Sequence, residues 1–225
     1  MAFLLPTDSF MEAAGRWFLK SGIQEAGGGV ARYYRSDQRQ NAPVSTEITG
    51  YALSALVFLH ERSGDEAYLE AALRAARFLT RTAWDTRLGT FPFEHPVNGG
   101  PALAYFFDCG IIVRGLLSAW RVTEDSEFLD AAIATAHGML ADFPEDSAIH
   151  PILALPDKRP LAWRPNWSQS PGCYQLKSAM AWFELFEVTG KTEFLRGYES
   201  ALQAALENER EFLPGDPDQH RVMDR

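Results

Sequence analysis

Two acidic residues, Glu47 and Asp108, occupy corresponding places in the chain. Each opens a long apolar run, and each follows a long segment rich in polar and aromatic residues. Two carboxyl groups held apart in one cleft are what glycoside chemistry requires, one serving as acid and the other as base or nucleophile. The competing account is structural, because acidic side chains also stabilise helix N-termini through the dipole and through capping. Lys177 and Arg114 fall inside apolar runs, where an unpaired charge is costly. Lys177 lies near the start of its run and is expected to hold an anionic group or to pair with Asp108. Arg114 lies deeper and is expected to be an internal ion-pair partner.

The same linking segments concentrate aromatic rings: Tyr33 and Tyr34, Phe91 and Phe93, Tyr105 and Phe106, Trp163 and Trp167. Aromatic faces stack on the apolar faces of sugar rings, and Trp and Tyr add a polar tip that meets hydroxyls. Most of these rings are expected to anchor loops; Trp163, Trp167 and Tyr174 are the best ligand candidates. The loop histidines, His95 and His150, show no metal-type spacing, so no metal or cofactor is expected. His60 and His137 fall on helices and read as structural. Gly27-Gly28-Gly29 follows a helix and opens none, which excludes a phosphate loop. Cys173 has no histidine beside it in sequence and reads as a buried thiol.

The elements that must position these residues repeat. The pattern Ser/Thr, four residues, an aromatic, then Leu occurs at Ser63–Leu69, Thr123–Leu129 and Thr189–Leu195, offset by 60 and then 66 residues. Self-similarity at a fixed period defines an architecture. Before each copy lies a densely apolar run (48–62, 108–122, 174–188), which predicts a helix buried on all sides. After each copy lies an amphipathic run (66–84, one whose stripe is Leu129, Ile133, Ala136 and Leu140, and 193–209). In the first of these, Leu69, Leu73, Ala76 and Leu79 form one stripe and Glu70, Arg74, Arg77 and Arg81 the other. Gly64 ends the first inner helix and Asp65 caps the next. Superposed, the copies align Ala55, Gly115 and Ala181 as sites of close helix approach, and Tyr68, Phe128 and Phe194 as apolar plugs.

The unit is therefore a helical hairpin, and a leading helix at about 8–22 brings the predicted total to seven. The class expected is all-α, a single helical-hairpin domain over 1–225. Inner-to-outer turns are short, whereas the outer-to-inner links, roughly 24–45, 85–106 and 143–172, are long. Links of that length usually carry function. Because the inner helices run parallel, all three links emerge on one face. The third holds six of the 13 prolines, which restrict its unfolded chain. Closing a ring takes about six such hairpins, and three and a half are present, so truncation, pairing with a second copy, or an open arc is expected.

A net charge of −9 and 46% hydrophobic residues exclude a basic nucleic-acid binder and supply a core. No apolar run reaches membrane-span length, and Met1 to Pro6 is too short for a signal sequence. Two distant cysteines suit a cytoplasmic protein.

Glu47-Ile48-Thr49-Gly50-Tyr51, the Ser-Gly-Asp-Glu-Ala-Tyr-Leu turn and Ser170-Pro171-Gly172-Cys173-Tyr174-Gln175-Leu176-Lys177 resemble the six-hairpin glycosidase-like superfamily, nearest its uncharacterised bacterial members. The resemblance implies an (α/α) toroid with a carbohydrate cleft at the N-terminal ends of the inner helices. Its members include hydrolases, unsaturated-uronyl hydrolases, lyase-like enzymes and sugar epimerases. The ligand implied is an oligosaccharide or a uronic-acid-containing glycan. Only Glu47 and Asp108 are carried over, as catalytic candidates; Tyr51, His95, Trp163, Trp167, Tyr174 and Lys177 are the substrate contacts expected from the residues themselves. A non-catalytic helical-repeat scaffold binding a glycan or a protein is the alternative reading. An isoprenoid-handling toroid is weaker, since neither its Asp-x-Asp-Asp acid nor its zinc ligands stand here. A 34-residue helical repeat does not fit the period.

Overall fold

The computed structural model describes residues 6–95, 101–145, 148–162, 167–169 and 173–209. They form seven helices: α1 (Pro6–Lys20), α2 (Thr46–Ser63), α3 (Glu66–Phe78), α4 (Phe106–Thr123), α5 (Ser126–Asp142), α6 (Leu176–Thr189) and α7 (Thr192–Glu209). Helices α2, α4 and α6 form the inner row and α1, α3, α5 and α7 the outer one, making a partial (α/α) toroid. α3 runs on through a π-helical turn, Leu79–Ala83, that nothing in the sequence marks.

The hairpin turns owe their sharpness to local chemistry. Asp65 and Asp125 cap α3 and α5 by accepting hydrogen bonds from the amides of Ala67 and Glu127, at 2.9 and 3.0 Å. Each inner helix ends on a residue with positive φ: Gly64 at 71°, Glu124 at 56° and Gly190 at 68°. Immediately after each turn, Tyr68, Phe128 and Phe194 are buried to 4%, 0% and 0% exposure and plug the core as expected.

The inner helices are not alike. Of 18 residues each, α4 buries 12 and α2 buries seven, so α4 is the middle of the row and α2 its edge. The expectation of inner helices buried all round holds only for α4. Ala55 and Phe58 on α2 are exposed, because no inner helix covers that flank among the described residues. Ala55 therefore departs from the close-approach role that Gly115 does fill. A Cβ on Gly115 would stand 2.7 Å from the Gly50 carbonyl oxygen of α2. One on Gly110 would stand 2.5 Å from Ser178 of α6. Ser178 closes that second seam by donating its hydroxyl to the Phe107 carbonyl at 2.8 Å.

The long links carry short antiparallel strands that the all-helical expectation lacked. Val30–Ala31 and Glu94–His95 flank Val44–Ser45, and Arg159–Pro160 and Leu103–Tyr105 flank Ile152–Ala154. Successive links are thus laced together by backbone hydrogen bonds over the N-terminal ends of the inner helices.

Glu124 is the one inner-helix C-cap of the three that bears a side chain in the left-handed region, a conformation that costs a non-glycine residue about 1 kcal/mol. Glu124→Gly is expected to raise stability by about that amount in urea unfolding. An unchanged or lowered midpoint would show that the Glu124 side chain contributes something the turn needs.

Candidate functional site

α2 is capped by Ser45, whose hydroxyl accepts from the Ile48 amide at 3.2 Å, and α4 by Tyr105, which makes no side-chain cap. Glu47 and Asp108 lie one and two residues beyond the first helical residue, so neither is a cap. Asp108 is 3% exposed and its Oδ2 has no hydrogen-bond partner among the described residues. A buried carboxyl oxygen without a donor is expensive as an anion. Burial accordingly drives the Asp108 carboxyl well above the ordinary carboxylate range, and the charge of Glu47 pushes it further, against the opposing pull of Arg32. Glu47 is half-buried and is also raised by burial, opposed by Arg32 first and Lys177 second. The two carboxyls are thus an interacting pair in which Asp108 keeps its proton to the higher pH.

Three links furnish the surroundings. From the first comes Arg32, whose guanidinium lies 3.5 Å from the Glu94 carboxylate and 4.9 Å above the Phe93 ring. From the second, Phe93 packs edge-on against Tyr105 at 5.4 Å. From the third, Tyr174 stacks on Phe107 at 4.7 Å with an interplanar angle of 22°. Lys177, on α6, reaches across the front of α4. Its Nζ donates to the Tyr51 hydroxyl on α2 at 2.7 Å and sits 4.8 Å from the Tyr51 ring and 5.6 Å from the Phe107 ring. Lys177 therefore pairs with Tyr51 and not with Asp108, a correction to the sequence expectation. The aromatic rings supply a face for the ammonium that a carboxylate was expected to supply. Burial and the neighbouring Glu47 charge push the Tyr51 phenol up to about 12, so it is a neutral donor and acceptor. The Tyr174 phenol is raised too, chiefly by burial.

The concave face continues below Tyr51 as a cleft of about 230 Å³. Tyr51 and Ser54 of α2, Arg114, Ser118 and Arg121 of α4 and Glu184 of α6 line it. Arg114 is an ion-pair partner as expected, its Nε donating to Glu184 at 2.7 Å, and Arg121 reaches the other oxygen at 3.4 Å. A larger cavity of about 490 Å³ lies at the far end of α2, between α1 and the Ser63–Asp65 turn. It is a packing seam distant from the carboxyl pair.

Of the residues singled out in the sequence, Glu47, Asp108, Tyr51, Tyr174 and Lys177 come together. His95 does not join them: it packs edge-on against Phe78 of α3 at 5.6 Å, on the opposite side of its strand from Glu94. Trp163 lies outside the described residues, and only the backbone of Trp167, in a short 3₁₀ turn, is described. Arg32 and Glu94 were missed; the one signal for Arg32 was its place beside Tyr33 and Tyr34. Among the described residues, no group of three or more His, Cys, Asp and Glu side chains is placed to hold a metal ion. Nor is any described helix long and apolar enough to cross a membrane.

No protein-family model and no curated protein matches the sequence. Solved structures do resemble it. The chain superposes on a family 76 alpha-mannanase of Bacteroides thetaiotaomicron with a TM-score of 0.74 at 16% identity, over 97% of this chain and 61% of that one. A cellobiose 2-epimerase from Spirochaeta thermophila gives 0.68 at 19% identity, over 90% and 55%. A sugar epimerase from a ruminal bacterium gives 0.69 at 14%, over 85% and 54%. The chain shares its fold with these solved structures and spans a little over half of their length.

Both carboxyls have folded pKa values above their unfolded ones. Their contribution to stability is therefore full below the unfolded carboxylate pKa and is lost as pH rises through the folded values. Glu127 acts in the opposite sense. Hydrogen bonds from Arg81 hold it at about 2, so its contribution is full above the unfolded carboxylate pKa and is lost as pH falls from there through about 2. Asp108→Asn is expected to match wild type in acid and to become the more stable protein as pH rises to neutral. A difference between the two proteins that does not vary with pH would contradict a raised Asp108.

Proposed function

We propose that this protein is a carbohydrate-active enzyme acting on an oligosaccharide or a uronic-acid-containing glycan by acid/base chemistry at the Glu47–Asp108 pair. The observation that carries the reading is the buried Asp108, with a carboxyl oxygen that meets no donor among the described residues, next to a second carboxyl at the start of the adjacent inner helix. A carboxyl that keeps its proton at neutral pH is a competent general acid, and the partner that ionises first is the base. In hydrolysis, Asp108 gives its proton to the departing glycosidic oxygen as the bond to the anomeric carbon breaks. Glu47 takes a proton from the water whose oxygen bonds to that carbon. Arg32 and Lys177 oppose the effect of burial on Glu47 and so favour the ionised form that this role needs. Tyr174 and Tyr51 offer half-exposed rings beside the pair, suited to the apolar face of a sugar.

The solved structures that share the fold include a mannanase and two sugar epimerases, which supports a sugar as the ligand class. Epimerisation is the second reading that these neighbours favour. There Glu47 would remove a carbon-bound proton and Asp108 would return one. A cytoplasmic location belongs to the same reading.

Glu47→Gln and Asp108→Asn are each expected to lower kcat by roughly 10²- to 10⁴-fold on whichever of a panel of mannose-, glucose- and uronate-containing oligosaccharides wild type converts. NMR of the products separates cleavage from epimerisation. Full turnover by both folded variants would contradict the assignment, and binding without turnover by wild type would favour a non-catalytic glycan module.

A further inference from the structure

The cleft below Tyr51 has features that the carboxyl pair does not use. Two guanidiniums share one carboxylate there, leaving an excess of one positive charge in a protein of net charge −9. Glu184 is the more enclosed partner, at 15% side-chain exposure against 36% for Arg114 and 44% for Arg121. Arg114 engages it through Nε, and among the described residues its terminal nitrogens make no further hydrogen bond on a side chain 36% exposed. An arginine carries five N–H donors in a planar fork suited to a carboxylate. The two serines have the complementary polarity. Ser54 and Ser118 each donate their proton to the carbonyl four residues back, Gly50 at 3.3 Å and Arg114 at 3.0 Å, and so turn lone pairs outward. The cleft therefore offers donors for an oxyanion at one place and acceptors for hydroxyls at another. At about 230 Å³ it is smaller than the usual site for a drug-sized ligand, which runs from roughly 300 Å³.

We propose that this cleft is a subsite for the carboxylate of a single sugar acid, with Arg114 and Arg121 binding the oxyanion and Ser54 and Ser118 accepting from the ring hydroxyls. Glu184 orients the two arginines and offsets one of their charges, which keeps the unliganded cleft stable and tempers its affinity. Tyr51 lines both this cleft and the space beside the carboxyl pair, so a glycan could reach from one to the other. The proposal rests on the glycan reading above only in taking the ligand to be a sugar.

Calorimetric titration of wild type, Arg114→Met, Glu184→Gln and Asp108→Asn with glucuronate, glucose and inorganic sulfate tests it. Wild type is expected to bind glucuronate more tightly than either glucose or sulfate. Arg114→Met should weaken glucuronate by at least about tenfold, and Glu184→Gln should strengthen it by about tenfold, each corresponding to some 1.4 kcal/mol. A merely structural ion pair would not give that gain on removing Glu184. Asp108→Asn should leave glucuronate binding in place, so loss of turnover in that variant bears on the carboxyl pair and not on this subsite. Glucuronate binding no tighter than glucose, equal to sulfate, or unchanged in both Arg114→Met and Glu184→Gln would overturn the proposal.

Discussion

The structure depends on how closely α4 approaches its two neighbours. At the α2 seam the backbone of Gly115 passes within a would-be Cβ contact, 2.7 Å, of the Gly50 carbonyl. At the α6 seam, Gly110 stands in the same relation to Ser178. With side chains at these positions the inner helices would have to separate, because packed interiors have no slack to absorb even a methyl group. Gly50, Gly110 and Ser178 lie within the first five residues of their helices, close to Glu47, Asp108 and Lys177, and Gly115 lies further along α4. Packing thereby brings to one end of the inner row three ionisable groups that are 61 and 69 residues apart in sequence.

That enforced proximity accounts for the electrostatics. Asp108 is buried, with no donor for Oδ2 among the described residues, so burial favours its neutral form. Glu47 retains access to solvent and to the fields of Arg32 and Lys177, and is raised less decisively. Two carboxyls of similar chemistry are thus driven to different protonation by position alone. The cations follow the same logic. Lys177 is exposed and rests on the Tyr51 and Phe107 rings, while the more enclosed Glu184 is satisfied by two arginines.

Much of the helical frame was legible because its signals are local. Gly64 and Asp65 announce a turn in four residues, and most helix ends fall within two residues of their predicted places. Arg114 as an ion-pair partner was legible from the cost of a lone charge in an apolar run. What depended on pairing across long sequence distances was not. Arg32 reaches the site only because Val30–Ala31 pairs with Val44–Ser45, and nothing local in Ala31-Arg32-Tyr33 encodes that register. Lys177 was expected to hold an anionic group or to pair with Asp108; its contact with Tyr51 in place of Asp108 depends on the spacing of α2 and α6 on either side of α4. His95 looked available for ligand binding, but strand alternation turns it toward Phe78 and gives the cleft side to Glu94.

The central claim is that packing, through burial, drives the Asp108 carboxyl well above the ordinary carboxylate range and above that of Glu47 beside it. Infrared difference spectroscopy between wild type and Asp108→Asn at neutral pH reads this directly. The account predicts that wild type shows the carbonyl stretch of a protonated carboxyl, and that the band is lost in Asp108→Asn and persists in Glu47→Gln. A wild-type spectrum containing only the ionised carboxylate bands, with nothing removed by the Asp108 substitution, would contradict it.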